Sequence, residues 1–159
     1  MSSRIKDTMN RIGLGKLTSL GIALKQLITA RKVSCTLTLE DKVHDKKESV
    51  ELPRFLFVTC MSHRYEGGGF MFCPPAVDHD GVLDLCSVGN ISKGLVLLAL
   101  PTAFFGKHYF VKGINAHTAT QMSITASAPL WVHTDGEVTR KSRGFRVECL
   151  PGAIRMITP

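Results

Sequence analysis

The chain has 159 residues, of which 44% are hydrophobic and 21% charged, so it suits one domain with a single hydrophobic core rather than two independent domains. The longest apolar run, residues 95–100, is far shorter than the ~20 residues that cross a bilayer, and the first residues are too polar for a secretory signal. We therefore expect a soluble, cytoplasmic protein in which residues 1–159 form a single domain.

The net charge of +7 at pH 7 comes from the two ends of the chain. Residues 1–54 carry eleven Lys/Arg against six Asp/Glu and residues 101–159 seven against three, whereas residues 55–100 carry two against four. Such a surface suits nucleic acid, anionic lipid headgroups or nucleotide phosphates, and charge alone does not choose among them. The single Trp and two Tyr do not alternate with the basic clusters as stacking platforms would, which argues against a nucleic-acid-binding domain.

The first predicted element is an amphipathic helix, because apolar residues recur at three- and four-residue spacings from Leu17 to Ile28. From Val33 to Leu39 apolar and polar residues alternate, which predicts a half-buried strand followed by a solvated loop or hairpin end over residues 40–51. Most of the remaining chain also reads as strand, and the strand-like segments are residues 54–61, 82–88, 121–128, 145–149 and 153–158.

A second helix is predicted after residue 91. Ser92 can cap it, Pro101 should bend or end it, and Gly106 should end the helical segment beyond the proline. The order of elements predicts a mainly β protein, an antiparallel β-sandwich that carries one or two helices.

Three loops could carry chemistry, and the first is the glycine run, residues 67–69. Three successive glycines let the backbone adopt unusual conformations or approach another surface closely. Spacing favours a bulge or wide turn over a phosphate-binding loop, because no Lys-Ser/Thr pair comes after the glycines and no helix begins there.

The second loop places Asp78, Asp80 and Asp84 around Gly81, a composition that suits Mg²⁺ or Ca²⁺. An EF-hand is excluded, because its first and last ligand positions would fall on alanine and serine. An Asp-Gly hairpin turn and an incomplete ion site that adds backbone carbonyls both remain, and spacing favours the turn.

The third loop, Asp135-Gly136, fits a two-residue hairpin turn that places Glu137 at a strand edge. A carboxylate there acts as a general base only if a substrate hydroxyl comes within ~3 Å, and spacing alone favours an ordinary surface glutamate. The basic residues after it suit either a phosphate or a solvated face, and they are Arg140, Lys141, Arg143 and Arg146.

The order of these features resembles the C-terminal domain of the diacylglycerol kinase-like lipid kinase family, which includes bacterial lipid kinases and sphingosine kinases. The matching segments are "YEGGGFMFCPPAVDHDGVLDL", the apolar helix with "GKH", "APLWVHTDGEV" and "FRVECLPGAIRMITP". The resemblance covers nearly the whole chain and is strongest from Tyr65 to the end.

The resemblance implies a role for a few residues. Glu137 would accept the proton of a lipid hydroxyl that attacks the γ-phosphate of ATP, and Asp80 would bind Mg²⁺ together with the main-chain oxygens of Val77 and Val82. ATP itself would be bound mainly by an N-terminal nucleotide-binding domain with a G-G-D-G-T motif. This sequence lacks that motif, so we expect the chain alone to be inactive.

The resemblance thus implies the lipid-binding, base-supplying domain of an ATP-dependent lipid kinase with a diacylglycerol-like substrate. The alternative is a non-catalytic module that binds lipid or a membrane surface. Either function implies peripheral contact with an anionic membrane and no nucleic-acid partner. The formation of a homodimer is left as an open alternative. Phosphatidylglycerol, a sphingoid base or a prenol would need the same base and a similar apolar slot.

Overall fold

The structure is a computed structural model that describes residues 29, 31–66, 69–134 and 137–154. Thr29 and Arg31 belong to an N-terminal unit, Met1–Arg31, and the other described residues belong to a second unit, Lys32–Pro159. The helix predicted from Leu17 to Ile28 lies outside the described residues. The sheet and its helical connection belong to the second unit.

Six antiparallel strands form one sheet in the order β4-β3-β2-β1-β5-β6. Their bounds are β1 Val33–Asp41, β2 Lys46–Met61, β3 Leu83–Gly89, β4 Ile114–Ala119, β5 Gln121–Thr134 and β6 Glu137–Glu148. The prediction of a mainly β, antiparallel fold is confirmed.

Strand β1 shows why this sequence forms a sheet with one buried face. Cys35, Leu37 and Leu39 point into the core, while the residues between them are more exposed, as an alternating pattern requires. Leu37 lies opposite Val50 on β2 and Ile124 on β5, so β1 is the central partner of both neighbours. The predicted hairpin after β1 is also present, because β2 pairs with β1 from residue 46 onward.

The sheet curls so that strands distant in its order meet across the core. Leu39 of β1 packs against residues of β3, β4 and β5, which are Leu83, Leu85, Ala119 and Met122. At the β4–β5 connection, the Thr120 amide donates a hydrogen bond of 2.9 Å to the carbonyl oxygen of Glu40. The two contacts bring edge strand β4 to the end of β1, and the core lies between them.

The apolar segment between β3 and β4 is helical, as predicted. Helix α1, Lys93–Ala99, begins after Ser92, whose hydroxyl accepts a hydrogen bond of 3.2 Å from the Leu95 amide. It continues as a 3₁₀ helix, Leu100–Phe105, which ends at Gly106 with φ 65°. A second 3₁₀ helix, His108–Phe110, comes next. Within the described residues, no helix is long and apolar enough to span a bilayer.

Two parts of the fold differ from the sequence-based expectation. Strand β4 was not predicted, because only its end residues Ile114 and Ala119 are buried and an edge strand shows little apolar alternation. The strand predicted over residues 153–158 is absent at Ala153 and Ile154, which come after a turn at Pro151 and Gly152. The last five residues lie outside the described part of the chain.

Candidate functional site

The β5–β6 hairpin carries Glu137 at the start of β6. Thr134 pairs with Glu137, so two residues, Asp135 and Gly136, connect the strands, as the Asp-Gly pattern predicts. Those two residues lie outside the described part of the chain. Glu137 is exposed, and its carboxylate makes no hydrogen bond or ion pair with any described residue. The carboxylate is therefore accessible, and its catalytic role stays a prediction.

The stem of this hairpin is positively charged. The Lys141 ammonium lies 4.3 Å from the centroid of the Trp131 ring, a cation–π contact between the paired strands. Arg140 and Arg143 are exposed and form no ion pair within the described residues. The strand that begins at Glu137 thus carries exposed basic side chains, and both a phosphate and solvent remain suitable partners for them.

The residues on either side of the glycine run, Glu66 and Phe70, form an isolated bridge. The Glu66 amide donates to the Phe70 carbonyl at 2.8 Å, and the Phe70 amide donates to the Glu66 carbonyl at 3.1 Å. Gly69 is exposed, and Gly67 and Gly68 lie outside the described residues. The bridge agrees with the predicted turn, and no helix begins at the described residues Gly69 and Phe70.

Electrostatics connect the glycine loop to the β5–β6 hairpin. Desolvation raises the pKa of Glu66, although the residue as a whole is exposed. The charge of His133, and to a smaller extent that of His63, lowers this pKa. His133 lies near the end of β5, four residues before Glu137. Two of the three predicted loops therefore lie close enough for their charges to interact.

The segment after the glycine run is held by two side chains that the spacing did not single out. Phe72 accepts a hydrogen bond of 2.6 Å from the Tyr109 hydroxyl, and His108 Nε2 lies 3.2 Å from the same carbonyl oxygen. His108 is buried, and burial lowers its pKa, so the ring is neutral at pH 7. The "GKH" segment includes His108, but its partner is more than thirty residues away in sequence and could not be inferred.

The second predicted loop is a turn whose geometry depends on Asp80. Its carboxylate oxygen Oδ1 accepts a hydrogen bond of 3.1 Å from the Val82 amide, which is the local bond typical of an aspartate before a turn glycine. His79 Nδ1 lies 2.7 Å from Asp78 Oδ1 in an exposed side-chain hydrogen bond, and this contact lowers the pKa of Asp78. Asp80 is exposed, so an ion could still reach its carboxylate.

Asp84 is the unusual member of this acidic group. It lies in β3 and is only 4% exposed, and within the described residues its oxygen Oδ2 has no hydrogen-bond partner. Burial raises the pKa of Asp84, and the negative charge of Asp80 raises it further. Asp84 also lines a cavity of about 140 Å³ together with Cys73, Pro75, Leu85, Tyr109, Ala116, His117 and Thr118.

These observations define what the acidic loop offers a cation. No group of three or more metal-ligating side chains occurs among the described residues, so side chains alone do not form a site. Among the side chains of this loop, the Asp80 carboxylate is a hard oxygen donor that an ion can reach, and the charge of Asp80 is one cause of the raised pKa of Asp84. No described hydrogen bond or ion pair joins this loop to Glu137.

Comparison with known proteins identifies the family. The family model described as "YegS C-terminal NAD kinase beta sandwich-like domain" matches residues 1–158. A "Probable lipid kinase YegS-like" from Xanthomonas euvesicatoria pv. vesicatoria (strain 85-10) is 35% identical over 98 residues, which are 60% of this chain and 31% of that protein. A "Diacylglycerol kinase" from Mycobacterium tuberculosis (strain CDC 1551 / Oshkosh) is 26% identical over 96 residues, or 60% of this chain and 30% of that one.

Solved structures show the same fold. The crystal structure of a diacylglycerol kinase from Bacillus anthracis str. Sterne superposes with a TM-score of 0.54 at 20% identity, covering 81% of this chain and 43% of that one. The chain spans about a third of the length of the curated relatives it matches. From the match over residues 1–158, the chain belongs to the family of YegS C-terminal NAD kinase beta sandwich-like domains.

Proposed function

We propose that this chain is the lipid-binding, base-supplying domain of an ATP-dependent lipid kinase that phosphorylates the hydroxyl of a diacylglycerol-like lipid. The observation that carries the proposal is the family match over residues 1–158. Relatives in which similar segments occur are named lipid kinase and diacylglycerol kinase, which supports lipid as the substrate class. ATP is the co-substrate, bound mainly by a nucleotide-binding domain that works with this one.

Glu137 is the general base in this proposal. Phosphoryl transfer depends on positioning and charge neutralisation, and a carboxylate that orients the attacking hydroxyl is a recurring part of such sites. The accessible carboxylate at the start of β6 supports the role, and the exposed basic residues Arg140 and Lys141 follow it on the same strand. Glu137 would take the proton from the lipid oxygen as that oxygen bonds to the γ-phosphorus and ADP leaves.

The acidic loop is the proposed Mg²⁺ site. Asp80 would hold the ion through its carboxylate, and Val77 and Val82 would contribute main-chain oxygens. The unpartnered buried oxygen of Asp84 supports the fit, because a nearby cation would offset the cost of its negative charge. When bound, the ion supplies positive charge that fixes the turn, and the residues of the loop orient the domain rather than move protons.

The domain is proposed to act in the cytoplasm at the surface of the membrane that contains its substrate. The net charge of +7 supports contact with anionic headgroups.

The test joins this chain to the nucleotide-binding domain of a relative and measures phosphate transfer from labelled ATP to a panel of lipids that includes diacylglycerol. Glu137→Gln should lower kcat by about 10²- to 10⁴-fold, the usual contribution of a general base. Glu48→Gln, which changes another exposed strand glutamate, is the matched control and should leave kcat unchanged. Equal activity of Glu137→Gln and the control would remove Glu137 from this role. Lipid binding without transfer would support the non-catalytic module.

A further inference from the structure

The helical connection between β3 and β4 presents large apolar side chains to solvent. Leu98 is 74% exposed, Phe105 76% and Phe110 87%, and Leu95, Leu97 and Phe104 are also exposed. Helix α1 buries only Val96 and Ala99 against the rest of the protein. A helix that is apolar on its outer face as well as its inner face needs an apolar environment on both sides. We call residues 93–112 the apolar connection.

Hydrogen bonds and ring stacking hold the backbone of the apolar connection in place. Ser92 caps its first helix, and the Thr102 hydroxyl donates a hydrogen bond of 2.6 Å to the Ala99 carbonyl at the junction with the 3₁₀ helix. Phe104 stacks on Phe70 with ring centroids 4.2 Å apart. The exposed side chains are therefore presented by a fixed backbone, which lowers the entropy that binding would cost.

The positive charge of the apolar connection favours an anionic lipid surface over a second copy of the chain as its partner. Residues 85–134 contain no aspartate or glutamate, and Lys107 and Lys112 are exposed within the apolar connection. Neither lysine forms an ion pair with a described residue. A second copy of the chain bound face to face would bring these lysines together, which is unfavourable. An anionic lipid surface offers negative headgroups to the lysines and acyl chains to the aromatic residues.

The connection is also attached to the proposed site. Phe70, on which Phe104 stacks, lies directly after the glycine run, and the Met71 amide donates a hydrogen bond of 2.9 Å to the Ala103 carbonyl. A membrane bound at the apolar connection would thus lie beside the segment that follows the glycine run.

We propose that the apolar connection is the surface by which this domain binds the membrane. Leu98, Phe105 and Phe110 enter the boundary between headgroups and acyl chains, and Lys107 and Lys112 contact anionic headgroups. The inference rests on the proposed function in one respect: membrane binding would bring the domain to its lipid substrate. The binding itself needs neither Glu137 nor ATP.

The test is sedimentation of the full chain with vesicles of phosphatidylcholine, alone or with phosphatidylglycerol. Phe105→Ser/Phe110→Ser should weaken binding to the mixed vesicles by roughly tenfold or more. Val43→Ser/Leu150→Ser, which changes two other exposed apolar residues, is the matched control and should bind as the unchanged chain does.

A second pair of variants tests the charge. Lys107→Glu/Lys112→Glu should weaken binding to the mixed vesicles by roughly 25-fold or more and remove the preference for phosphatidylglycerol, since each basic residue at the surface contributes about fivefold. The control pair Lys46→Glu/Arg54→Glu has the same net charge. It should bind the mixed vesicles several-fold more tightly than Lys107→Glu/Lys112→Glu does. Equal loss in both pairs would show attraction by overall charge and overturn the assignment to this surface.

Other occupants give different results. If a second copy covers the surface, light scattering will show a dimer that Phe105→Ser/Phe110→Ser converts to monomer, without a change in vesicle binding. If residues 1–28 of the same chain cover it, these variants will lower the thermal stability and leave vesicle binding unchanged. Both results would overturn the inference.

The two proposals fail separately. Vesicle binding by a chain whose kinase chimera is inactive would contradict only the proposed function. Phosphorylation of a short-chain lipid in detergent by a chimera that does not bind vesicles would contradict only the membrane surface. Glu137→Gln should bind vesicles as the unchanged chain does.

Discussion

Replacing Asp84 by asparagine tests whether the fold holds a buried carboxylate that lacks a partner. Asp84 is 4% exposed, and its oxygen Oδ2 accepts no hydrogen bond from the described residues. An unsatisfied buried polar group costs about 1–3 kcal/mol, and more when it is charged. The amide keeps the shape of the side chain and removes the charge. An amide at this position is still a buried polar group without a partner, so only the excess cost of the charge is removed. We therefore expect Asp84→Asn to raise the free energy of unfolding by about 1 kcal/mol at pH 7.5 in the presence of EDTA.

The pH dependence gives the sign of the effect. Burial and the charge of Asp80 raise the pKa of Asp84 in the folded protein. Below the unfolded-state pKa of about 3.9 both states are protonated and the carboxylate has no cost. As pH rises above that value, the unfolded state ionises first and the folded state loses relative stability until pH exceeds the folded-state pKa. The advantage of Asp84→Asn should therefore be small near pH 4, grow with pH and then level off.

The assay is urea unfolding monitored by Trp131 fluorescence or circular dichroism across this pH range, with EDTA and with excess Mg²⁺. Asp45→Asn is the control, because Asp45 is an exposed turn residue with φ 49°, a conformation that asparagine tolerates. Mg²⁺ should stabilise the unchanged protein and Asp45→Asn more than Asp84→Asn. A loss of stability in Asp84→Asn at every pH in EDTA would refute the reasoning, because it would mean that the carboxylate makes a favourable contact.

Three further substitutions should each lower the free energy of unfolding in urea titrations. Ser92→Ala removes the cap of α1 and should cost about 0.5–2 kcal/mol, whereas Ser92→Asp should restore most of it. Gly113→Ala should cost more than about 2 kcal/mol, because φ is 101° and the new Cβ would lie 2.7 Å from the Gly89 oxygen; a neutral effect would contradict this packing. Tyr109→Phe removes one of two donors near the Phe72 carbonyl, since His108 Nε2 remains, and should cost about 0.5–1.5 kcal/mol; unchanged stability would argue against the hydrogen bond.

Local features of the fold were predictable because each depends on neighbouring residues. The alternation from Val33 to Leu39 predicted β1, and Ser92 and Gly106 marked the ends of the helical connection. The Asp-Gly pair before Glu137 predicted the connection between β5 and β6, which the pairing of those strands agrees with. In each case a backbone preference and an apolar pattern indicate the same structure.

The remaining features depend on residues far apart in the sequence. Strand β4 forms because β3 offers it an edge, and its own residues show little alternation. The hydrogen bonds of His108 and Tyr109 to Phe72 need the whole connection in place. Asp84 was visible as one acid in an apolar strand, but the side chains that surround it, among them Cys73, Tyr109 and His117, come from separate segments of the chain. No local pattern specifies such contacts.

The proposed base and the proposed cation loop differ in how the fold supports them. Glu137 is exposed and its carboxylate makes no hydrogen bond or ion pair with described residues, so Glu137→Gln should leave the free energy of unfolding unchanged within about 0.5 kcal/mol. Asp84 is buried behind the Asp80 turn, so its substitution must change stability. A kinase site that excludes water avoids transfer of the phosphate to water, and at the exposed Glu137 that exclusion has to come from the lipid and the nucleotide-binding domain. Activity should therefore depend on Glu137 only in the assembled kinase, whereas the effect of Asp84 should be measurable in this chain alone.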